Sequence, residues 1–304
     1  MKVGISVCSS YPHEPPKVAA RHMIERTRAA REAGLNTLFV GDHHVTPTNY
    51  LQNNVILGRM LAEWGDQPFG ALYLLPLWHP VLLAEQIGTL ASLASGPFVM
   101  QCGLGDKRQC RAFGIDPAQR VGRFTASLSI LRALWAGEVV SESDYWGLHQ
   151  ARIAPVPEQS VDVWVGAVVE PAIERTARLG DGWLAAPSLT YEQADEGLKR
   201  YQHHCAQLNR TPGAMAIRRD FLLGSTSQDA KAIARPYLES GYRGIPTESL
   251  LIGSVAEVVD QIGQLEGLGY SEVIVRNISQ DQAECLHSIQ MLREVKEQLG
   301  GSLR

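Results

Sequence analysis

The chain alternates between short apolar runs and longer amphipathic stretches from end to end, and this rhythm constrains its fold more than any other feature. Eight apolar runs have the length of strands, at 3–7, 36–41, 69–75, 98–105, 161–167, 182–187, 217–224 and 272–277. Each is followed by a stretch with the period of a helix. Near-continuous apolar strands between amphipathic helices are typical of a parallel sheet covered by helices. Eight such units favour an α/β fold of the closed (β/α)8 TIM barrel type over an open doubly wound sheet.

No break in composition divides the 304 residues, so we predict a single domain over residues 1–304. Two segments interrupt the alternation. Residues 139–160 place aromatic and β-branched residues around Gly147 before two prolines, which predicts a short hairpin insertion ahead of the fifth strand. Residues 239–254 are punctuated by Gly and Pro, which predicts an excursion over the barrel mouth that could act as a lid.

Charge and composition exclude several classes of protein. The net charge is −4 with acids and bases interspersed, so no basic face is expected that could bind a nucleic acid. The longest apolar stretches are far shorter than the roughly 20 residues of a membrane span, and the N-terminus has the pattern of a first strand. We therefore expect a cytoplasmic protein with neither nucleic acid nor membrane as a partner.

The five cysteines are scattered without C-x-x-C spacing, which indicates neither a disulfide framework nor a cysteine zinc site.

The second strand ends abruptly in Asp42, His43 and His44. In a parallel barrel the active site lies at the carboxyl ends of the strands, where polar groups can meet a ligand instead of being buried unpaired. For a single histidine at this place, a purely structural role, such as capping a helix or hydrogen-bonding a carbonyl, would be the simpler interpretation. A cluster of one acid and two imidazoles at a strand end favours a functional site.

A metal site is the first chemistry to consider for this cluster. Two imidazoles from one strand can bind the same metal when they are spaced His-x-His, because successive side chains point to opposite faces. His43 and His44 are adjacent, and His203 with His204 lies within a predicted helix. We therefore predict no metal site, and a metal-dependent barrel hydrolase is an alternative of lower rank. The sequence also has no G-x-S-x-G elbow, so a hydrolase with a serine nucleophile is not indicated.

Two further strand ends carry candidate binding residues. After strand four, glycines would let the backbone approach a planar ligand, with a carboxylate beside them. After strand five, a helix begins and leaves amide N–H groups free to bind an anion. The candidates at these two strand ends are Gly103, Leu104, Gly105, Asp106, Val168, Val169 and Glu170.

The order of segments resembles that of the bacterial luciferase-like monooxygenase family, across nearly the whole chain. The pieces that carry the resemblance are "AREAGLNTLFVGDHH", "GALYLLPLWHPVLLAEQIGTLASLASG", "CGLGDKRQCRAFGIDPAQRVGRF" with "LRALW", "VWVGA" with "ERTARLGDGW", and "LIGSVAEVVDQIGQLEGLGYSEVIVR". Each segment alone has little specificity for this family. The shared order and spacing of the segments make the resemblance specific. It does not determine the substrate.

The resemblance implies a (β/α)8 barrel with a flavin across its mouth. Members use either reduced FMN and dioxygen, as monooxygenases, or the deazaflavin coenzyme F-420, as dehydrogenases and reductases. It further implies a catalytic role for His43 beside the flavin, with Asp42 as its acidic neighbour, and a cofactor phosphate at the helix start of residues 168–170. Strand three would lie under the ring at Ala71, Leu72 and Tyr73, with a non-prolyl cis peptide among them; such a bond costs about 3 to 4 kcal/mol.

Two features of the sequence point to different cofactors. The tract from Pro76 through "WHPVLLAEQ" is similar to the monooxygenase branch and favours FMN, whereas Asp42 resembles the Asp-His pair of many deazaflavin enzymes. Luciferase has an arginine for the FMN phosphate where this chain has Cys102. Neutralisation of the phosphate would then fall to another cation, with Arg108 and Arg276 as the candidates.

The expected function is thus monooxygenation of a partly apolar small molecule by reduced FMN and dioxygen, with deazaflavin-dependent hydride transfer as the alternative. A partly apolar substrate is suggested by the candidate pocket residues His44, Tyr50 and Trp78. The resemblance also implies a homodimer and, for an FMN enzyme, a separate flavin reductase that supplies reduced cofactor. A barrel that binds a flavin or another ligand without catalysis is a further alternative.

Overall fold

The computed structural model describes residues 1–301 and contains the predicted parallel barrel. Its strands fall within or beside all of the apolar runs of the sequence. The barrel strands are β1 (Lys2–Val7), β2 (Leu38–Val40), β3 (Phe69–Leu74), β4 (Phe98–Gly103), β5 (Asp162–Gly166), β6 (Gly182–Ala185), β7 (Ala214–Leu223) and β8 (Glu272–Asn277).

The sheet closes on itself. Strand β1 pairs in parallel with both β2 and β8, neighbours follow chain order from β2 to β7, and β7 pairs with both β6 and β8. The β8–β1 pairing runs from Lys2 with Glu272 to Ile5 with Val275. An open doubly wound sheet would leave two unpaired edges, so the prediction of a (β/α)8 barrel is confirmed.

Helices cover the outside of this barrel and bury their apolar faces against the strands. Several of them begin at capping side chains: Thr190 with Gln193 forms one capping box and Ser254 with Glu257 another. The helices of the described chain are α1 (Pro16–Glu32), α2 (Asn53–Trp64), α3 (Pro80–Ser92), α4 (Lys107–Ala112), α5 (Arg120–Trp135), α6 (Glu170–Leu179), α7 (Tyr191–Gln207), α8 (Ser227–Glu239), α9 (Val255–Leu268) and α10 (Gln282–Gly301). Within residues 1–301, none of them is both long enough and apolar enough to cross a bilayer.

A layer of buried side chains closes the interior of the barrel and forms a floor beneath its mouth. This floor consists of Phe39, Val99, Trp164, Ala216 and Ile274. Because side chains on a strand alternate between its two faces, the residues two positions further along also point inward, and they line the cavity above the floor. These second-layer residues are Gly41, Gln101, Gly166, Arg218 and Arg276.

Both interruptions of the rhythm have structure. The predicted hairpin is confirmed, because Val140–Glu142 pairs in antiparallel fashion with Leu148–Ala151 around a turn at Gly147, whose φ is +60°. In the predicted excursion, two 3-10 turns lead to a short strand, Leu251–Gly253, that pairs with the end of β7 outside the closed barrel. Its use as a lid stays a prediction.

The predicted non-prolyl cis peptide in strand three is wrong. The cis peptide bond of residues 1–301 joins Ala154 to Pro155. Strand β3 instead pairs with β4 without interruption from Phe69 to Leu74, and such a regular parallel ladder is built from extended trans peptides.

Candidate active site

A cavity of about 520 Å³ opens at the carboxyl ends of the strands, within the size range of small-molecule sites. Every strand of the barrel, or the residues directly after it, contributes to its lining. Among the lining residues are Val7, Val40, Leu72, Gln101, Gly166, Ala185, Arg218 and Arg276. The cavity therefore lies where a parallel barrel is expected to carry its functional site.

His43 lines this cavity. Its ring lies 5.8 Å from the ring of Tyr50, another lining residue, and its Nδ1 lies 3.3 Å from Nε2 of Gln109. Burial lowers the pKa of His43, and the positive charge of Arg108 lowers it further. A lowered pKa keeps the imidazole neutral near neutral pH.

Gln109 determines which nitrogen of that neutral imidazole carries the proton. Its Oε1 accepts the backbone N–H of His44 at 3.0 Å, and its Nε2 donates to the Asp106 carboxylate at 3.0 Å. Both contacts require the amide to be in this orientation, which leaves its second N–H facing Nδ1 of His43. Nδ1 is then the acceptor, and the proton of the neutral ring lies on Nε2.

Gln109 is not among the predicted site residues, although the sequence carries a signal for it. Asp106 is the N-cap of α4 and accepts the backbone N–H of Gln109 at 2.7 Å, so "DKRQ" has the spacing of a capping box. Such a motif fixes the side chain three residues after the cap. Here the Gln109 amide lies at the end of β2, beside His43 and His44.

Replacing Gln109 with methionine should raise the pKa of His43 and mix its tautomers. The reason is that methionine fills a similar volume but cannot donate to Nδ1, so the neutral form with its proton on Nε2 loses a stabilising hydrogen bond. The measurement is a pH titration of the His43 ring nitrogens by NMR, since their ¹⁵N shifts distinguish the two tautomers.

Gln52→Met is the matched control for that titration. The Gln52 amide touches only the backbone carbonyls of His43 and Tyr50, at 3.5 and 3.4 Å. If both variants leave the His43 titration unchanged, the amide of Gln109 does not set the protonation of His43.

Asp42 is held away from His43. Its Oδ2 accepts the backbone N–H of Leu74 at 2.7 Å and the indole N–H of Trp78 at 2.8 Å. Its Oδ1 lies 2.9 Å from Nε2 of His44, at an angle too poor for a hydrogen bond. The hydrogen bonds of the Asp42 carboxylate thus go to Leu74 and Trp78 and not to His43, because adjacent residues point in different directions and place the carboxylate beside His44.

Of the three predicted substrate-pocket residues, Tyr50 lines the cavity, whereas His44 and Trp78 lie behind it. The ring of His44 packs edge-on against Trp78 and Phe113, with centroid distances of 5.6 and 5.3 Å. The contact with Asp42 holds the indole in that layer. These two side chains support the end of β2 and do not form the surface of the cavity.

Strand β3 presents one of its three predicted flavin contacts to the cavity. Leu72 lines it, while Ala71 and Tyr73 point outward and are fully buried beneath the helices. The Tyr73 hydroxyl donates to Oδ1 of Asn54 on α2 at 2.6 Å. The prediction that Ala71 and Tyr73 face a ligand is wrong, since the alternation of the strand turns both away from its interior.

The four residues predicted to bind the cofactor at the end of β4 and in the loop after it, Gly103 to Asp106, are not among the residues that line the cavity. This segment therefore lies beside the cavity. Gly105 has a φ of +66°, which glycine adopts readily. Leu104 packs on the core, and Gly103 ends the strand. Asp106 acts through Gln109, whose amide it orients.

The start of α6 reaches the cavity after the end of β5. Val168 lines the cavity, and Val169, the N-cap residue, has no capping side chain and is 64% exposed. The Glu170 carboxylate turns away to His204, whose Nε2 lies 2.6 Å from its Oε1. The amides at this helix start are thus available to an anion at the edge of the cavity.

A flavin-type ring fits the residues at the mouth of the barrel. Gln101 is buried, lines the cavity, and its Nε2 has no hydrogen-bond partner among the described residues. A buried N–H of this kind calls for an acceptor, which the carbonyl-rich edge of a flavin or deazaflavin could provide. Small residues, including Gly166 and Ala185, leave room beside it for a planar group.

Cys102, which stands where luciferase has an arginine, is fully buried and directs its thiol toward the backbone oxygen of Trp164 at 3.7 Å. Of the two alternative cations, Arg108 is exposed and donates to the backbone oxygen of Val45, whereas Arg276 lines the cavity.

Within residues 1–301 no three side chains of the His, Cys, Asp and Glu types gather as metal ligands. The described chain thus offers no ligand set for a hydrolytic metal centre.

Comparison with known proteins identifies the family and the fold of the chain. The model of the family described as luciferase-like monooxygenase matches residues 1–249. An F-420-dependent glucose-6-phosphate dehydrogenase of Intrasporangium calvum is 23% identical, over 88% of this chain and 91% of its own length. The corresponding enzyme of Beutenbergia cavernae is 28% identical over 57% of this chain, and the match spans only 55% of that relative. The crystal structure of monooxygenase RslO1 from Streptomyces bottropensis has the same fold, with a TM-score of 0.84, 19% identity and coverage of 97% and 98% of the two chains.

Proposed function

The chain belongs to the luciferase-like monooxygenase family of oxidoreductases, and from this premise we propose that it is a deazaflavin-dependent oxidoreductase acting on a small molecule. Its curated relatives support the deazaflavin, because the relative matched along most of both chains is F-420-dependent. Asp42 supports it as well, since Asp-His at the end of strand two resembles many deazaflavin enzymes. When bound, a deazaflavin supplies a ring carbon that accepts or donates a hydride.

In this proposal, the lining residues of the cavity hold the cofactor. Leu72 offers an apolar surface to the ring, and the free N–H of Gln101 donates to its polar edge. The amides at the start of α6, beside Val168, receive the phosphate. The protein supplies orientation and electrostatics, and the cofactor supplies the redox chemistry.

The observation that carries the proposal is the contact between Nδ1 of His43 and the amide nitrogen of Gln109, from which the tautomer of His43 follows. With Nδ1 accepting from Gln109, the Nε2–H of the imidazole stays free to donate, and His43 lines the cavity. A preorganised donor stabilises negative charge that develops on a substrate oxygen, such as that of a carbonyl group under reduction. The same arrangement disfavours His43 as a base, because the lone pair of Nδ1 is already engaged.

The FMN-dependent monooxygenase is a second candidate. It is favoured by the tract from Pro76 through "WHPVLLAEQ", which resembles the monooxygenase branch and contains Trp78, the indole held by Asp42. In that case His43 would donate to an oxygen atom derived from dioxygen, and a separate flavin reductase would supply reduced FMN.

Titration of the purified protein with coenzyme F-420 and, separately, with FMN tests the proposal. We expect F-420 to bind, followed by its fluorescence, and to bind more tightly than FMN. Gln101→Leu should weaken that binding because it removes the unpaired N–H, while Gln52→Leu, which changes an amide outside the cavity lining, should not. Binding of FMN alone would establish the monooxygenase candidate instead, and binding of neither would leave a barrel without a flavin-type cofactor.

A further inference from the structure

Three arginines line one side of the cavity. Arg218 comes from β7, Arg276 from β8 and Arg243 from the excursion between these strands. The carboxylate in contact with this group is Asp220, whose side chain is fully buried. Burying several like charges is costly unless they are paired, so the hydrogen bonds of this cluster decide what it can still bind.

Two of the arginines and a tyrosine hydroxyl together occupy both oxygens of Asp220. Its Oδ1 accepts from Nε of Arg218 at 3.0 Å, and its Oδ2 accepts from Nη1 of Arg243 at 3.0 Å and from the Tyr242 hydroxyl at 2.7 Å. Burial alone would raise the pKa of Asp220, and the guanidinium groups of Arg218, Arg276 and Arg243 together hold it below its usual value. The carboxylate is therefore ionised and has little capacity for a third arginine.

Arg276 lacks a carboxylate partner within the described chain. Its Nη2 donates to Sγ of Cys8 at 2.9 Å, and its Nε is buried without a hydrogen-bond partner among residues 1–301. Burial raises the pKa of the Cys8 thiol, but the charge and hydrogen bond of Arg276, the hydrogen bond to Ser10 and the charge of Arg26 together lower it. Even a thiolate at Cys8 would leave three positive charges against two negative ones, so positive charge is in excess on this side of the cavity.

We propose that Arg276, with Arg218 and Arg243, binds an oxyanion carried by the substrate, a carboxylate or a phosphate group. Guanidinium groups match such anions because they form paired, charge-assisted hydrogen bonds. The cluster comes from β7, β8 and the excursion between them, whereas the start of α6 follows β5, with β6 in between. The substrate anion and the cofactor phosphate would therefore occupy different parts of the mouth. His43 lines the same cavity, so an anion at Arg276 would orient the rest of the substrate relative to its Nε2–H. This inference rests on the proposed function only in assigning the anion to the substrate.

Calorimetric titration of the cofactor-free protein with inorganic phosphate tests the site. We expect phosphate to bind to the wild type, and Arg276→Gln to weaken binding roughly tenfold or more, as loss of a charge-assisted contact does. Arg243→Gln should weaken it less, and its half-exposed side chain makes it the second variant if Arg276→Gln does not fold. Arg59→Gln is the matched control, because Arg59 pairs with Glu63 on the surface of α2.

A second titration, with F-420 bound, assigns the anion to its source. If phosphate still binds and depends on Arg276, the site serves the substrate, as inferred. If F-420 abolishes phosphate binding and Arg276→Gln weakens F-420, the arginines hold the cofactor phosphate and the inference is overturned. Undetectable phosphate binding, or equal affinity in all variants, also overturns it. Should F-420 fail to bind while phosphate binding depends on Arg276, the proposed function falls but the anion site stands.

Discussion

Replacing His43 with asparagine should lower turnover roughly 10²-fold or more at saturating substrate, while the affinity for the cofactor changes little. The Nε2–H of the imidazole stays free to donate because Gln109 occupies the other nitrogen, and His43 lines the cavity. Asparagine keeps an amide N–H but is too short to place it where Nε2 lies. The measurement is steady-state kinetics together with a cofactor titration of both proteins.

His43→Gln separates a hydrogen-bond donor from a group that transfers a proton. The amide nitrogen of glutamine can approach the position of the imidazole Nε2 and can donate a hydrogen bond, but it cannot give up a proton. Recovery of part of the lost turnover in His43→Gln supports a donor, whereas equal losses in both variants indicate proton transfer. If His43→Asn instead weakens cofactor binding and leaves turnover at saturation intact, His43 is a binding residue and the catalytic assignment is wrong.

The sequence predicted the barrel because its signals are long and repeated. Each strand is an apolar run and each helix an amphipathic stretch, so small errors at the ends do not change the topology. Strand β2, for example, is only Leu38–Val40 within the predicted run 36–41, while β7 begins at Ala214, ahead of the predicted 217. β7 is longer because it pairs with β6, β8 and Leu251–Gly253.

The direction in which an individual side chain points, into the barrel or out toward the helices, could not be predicted in the same way. A strand of a covered parallel sheet is apolar on both sides, so its sequence does not reveal which residues point into the barrel. For that reason Leu72 could not be distinguished from Ala71 and Tyr73 in the uniformly apolar β3. The floor residues, such as Trp164 and Ile274, are equally unmarked in the sequence.

Charged residues near strand ends carry a stronger signal. Asp42 and His43 attracted attention because a polar group at the end of an apolar strand is costly unless it meets a partner. Arg218 in "IRRDF" and Arg276 in "IVRN" satisfy the same criterion. Arg276 was predicted only as a possible phosphate ligand and Arg218 was missed, since the sequence does not show that an excursion brings Arg243 to the same carboxylate.

Replacing Asp42 with alanine should destabilise the protein by about 3 kcal/mol, since it leaves a buried backbone N–H and a partly buried indole N–H without an acceptor. These are the backbone N–H of Leu74 and the indole N–H of Trp78, which the Asp42 carboxylate accepts at 2.7 and 2.8 Å. Asp42→Asn should cost less, because its remaining oxygen can accept one of the two. Urea unfolding of the wild type and both variants measures the differences.

Asp195→Ala is the control for that measurement, because Asp195 pairs with Lys199 on the surface of α7 and such exposed pairs contribute little. The order expected for the loss of stability is Asp42→Ala, then Asp42→Asn, then Asp195→Ala. The carboxylate of Asp42 connects the end of β2 to the end of β3, so its loss should also loosen the support of His43 and lower turnover. If Asp42→Ala is as stable as Asp195→Ala but still inactive, Asp42 acts on the reaction rather than on the architecture of the barrel mouth.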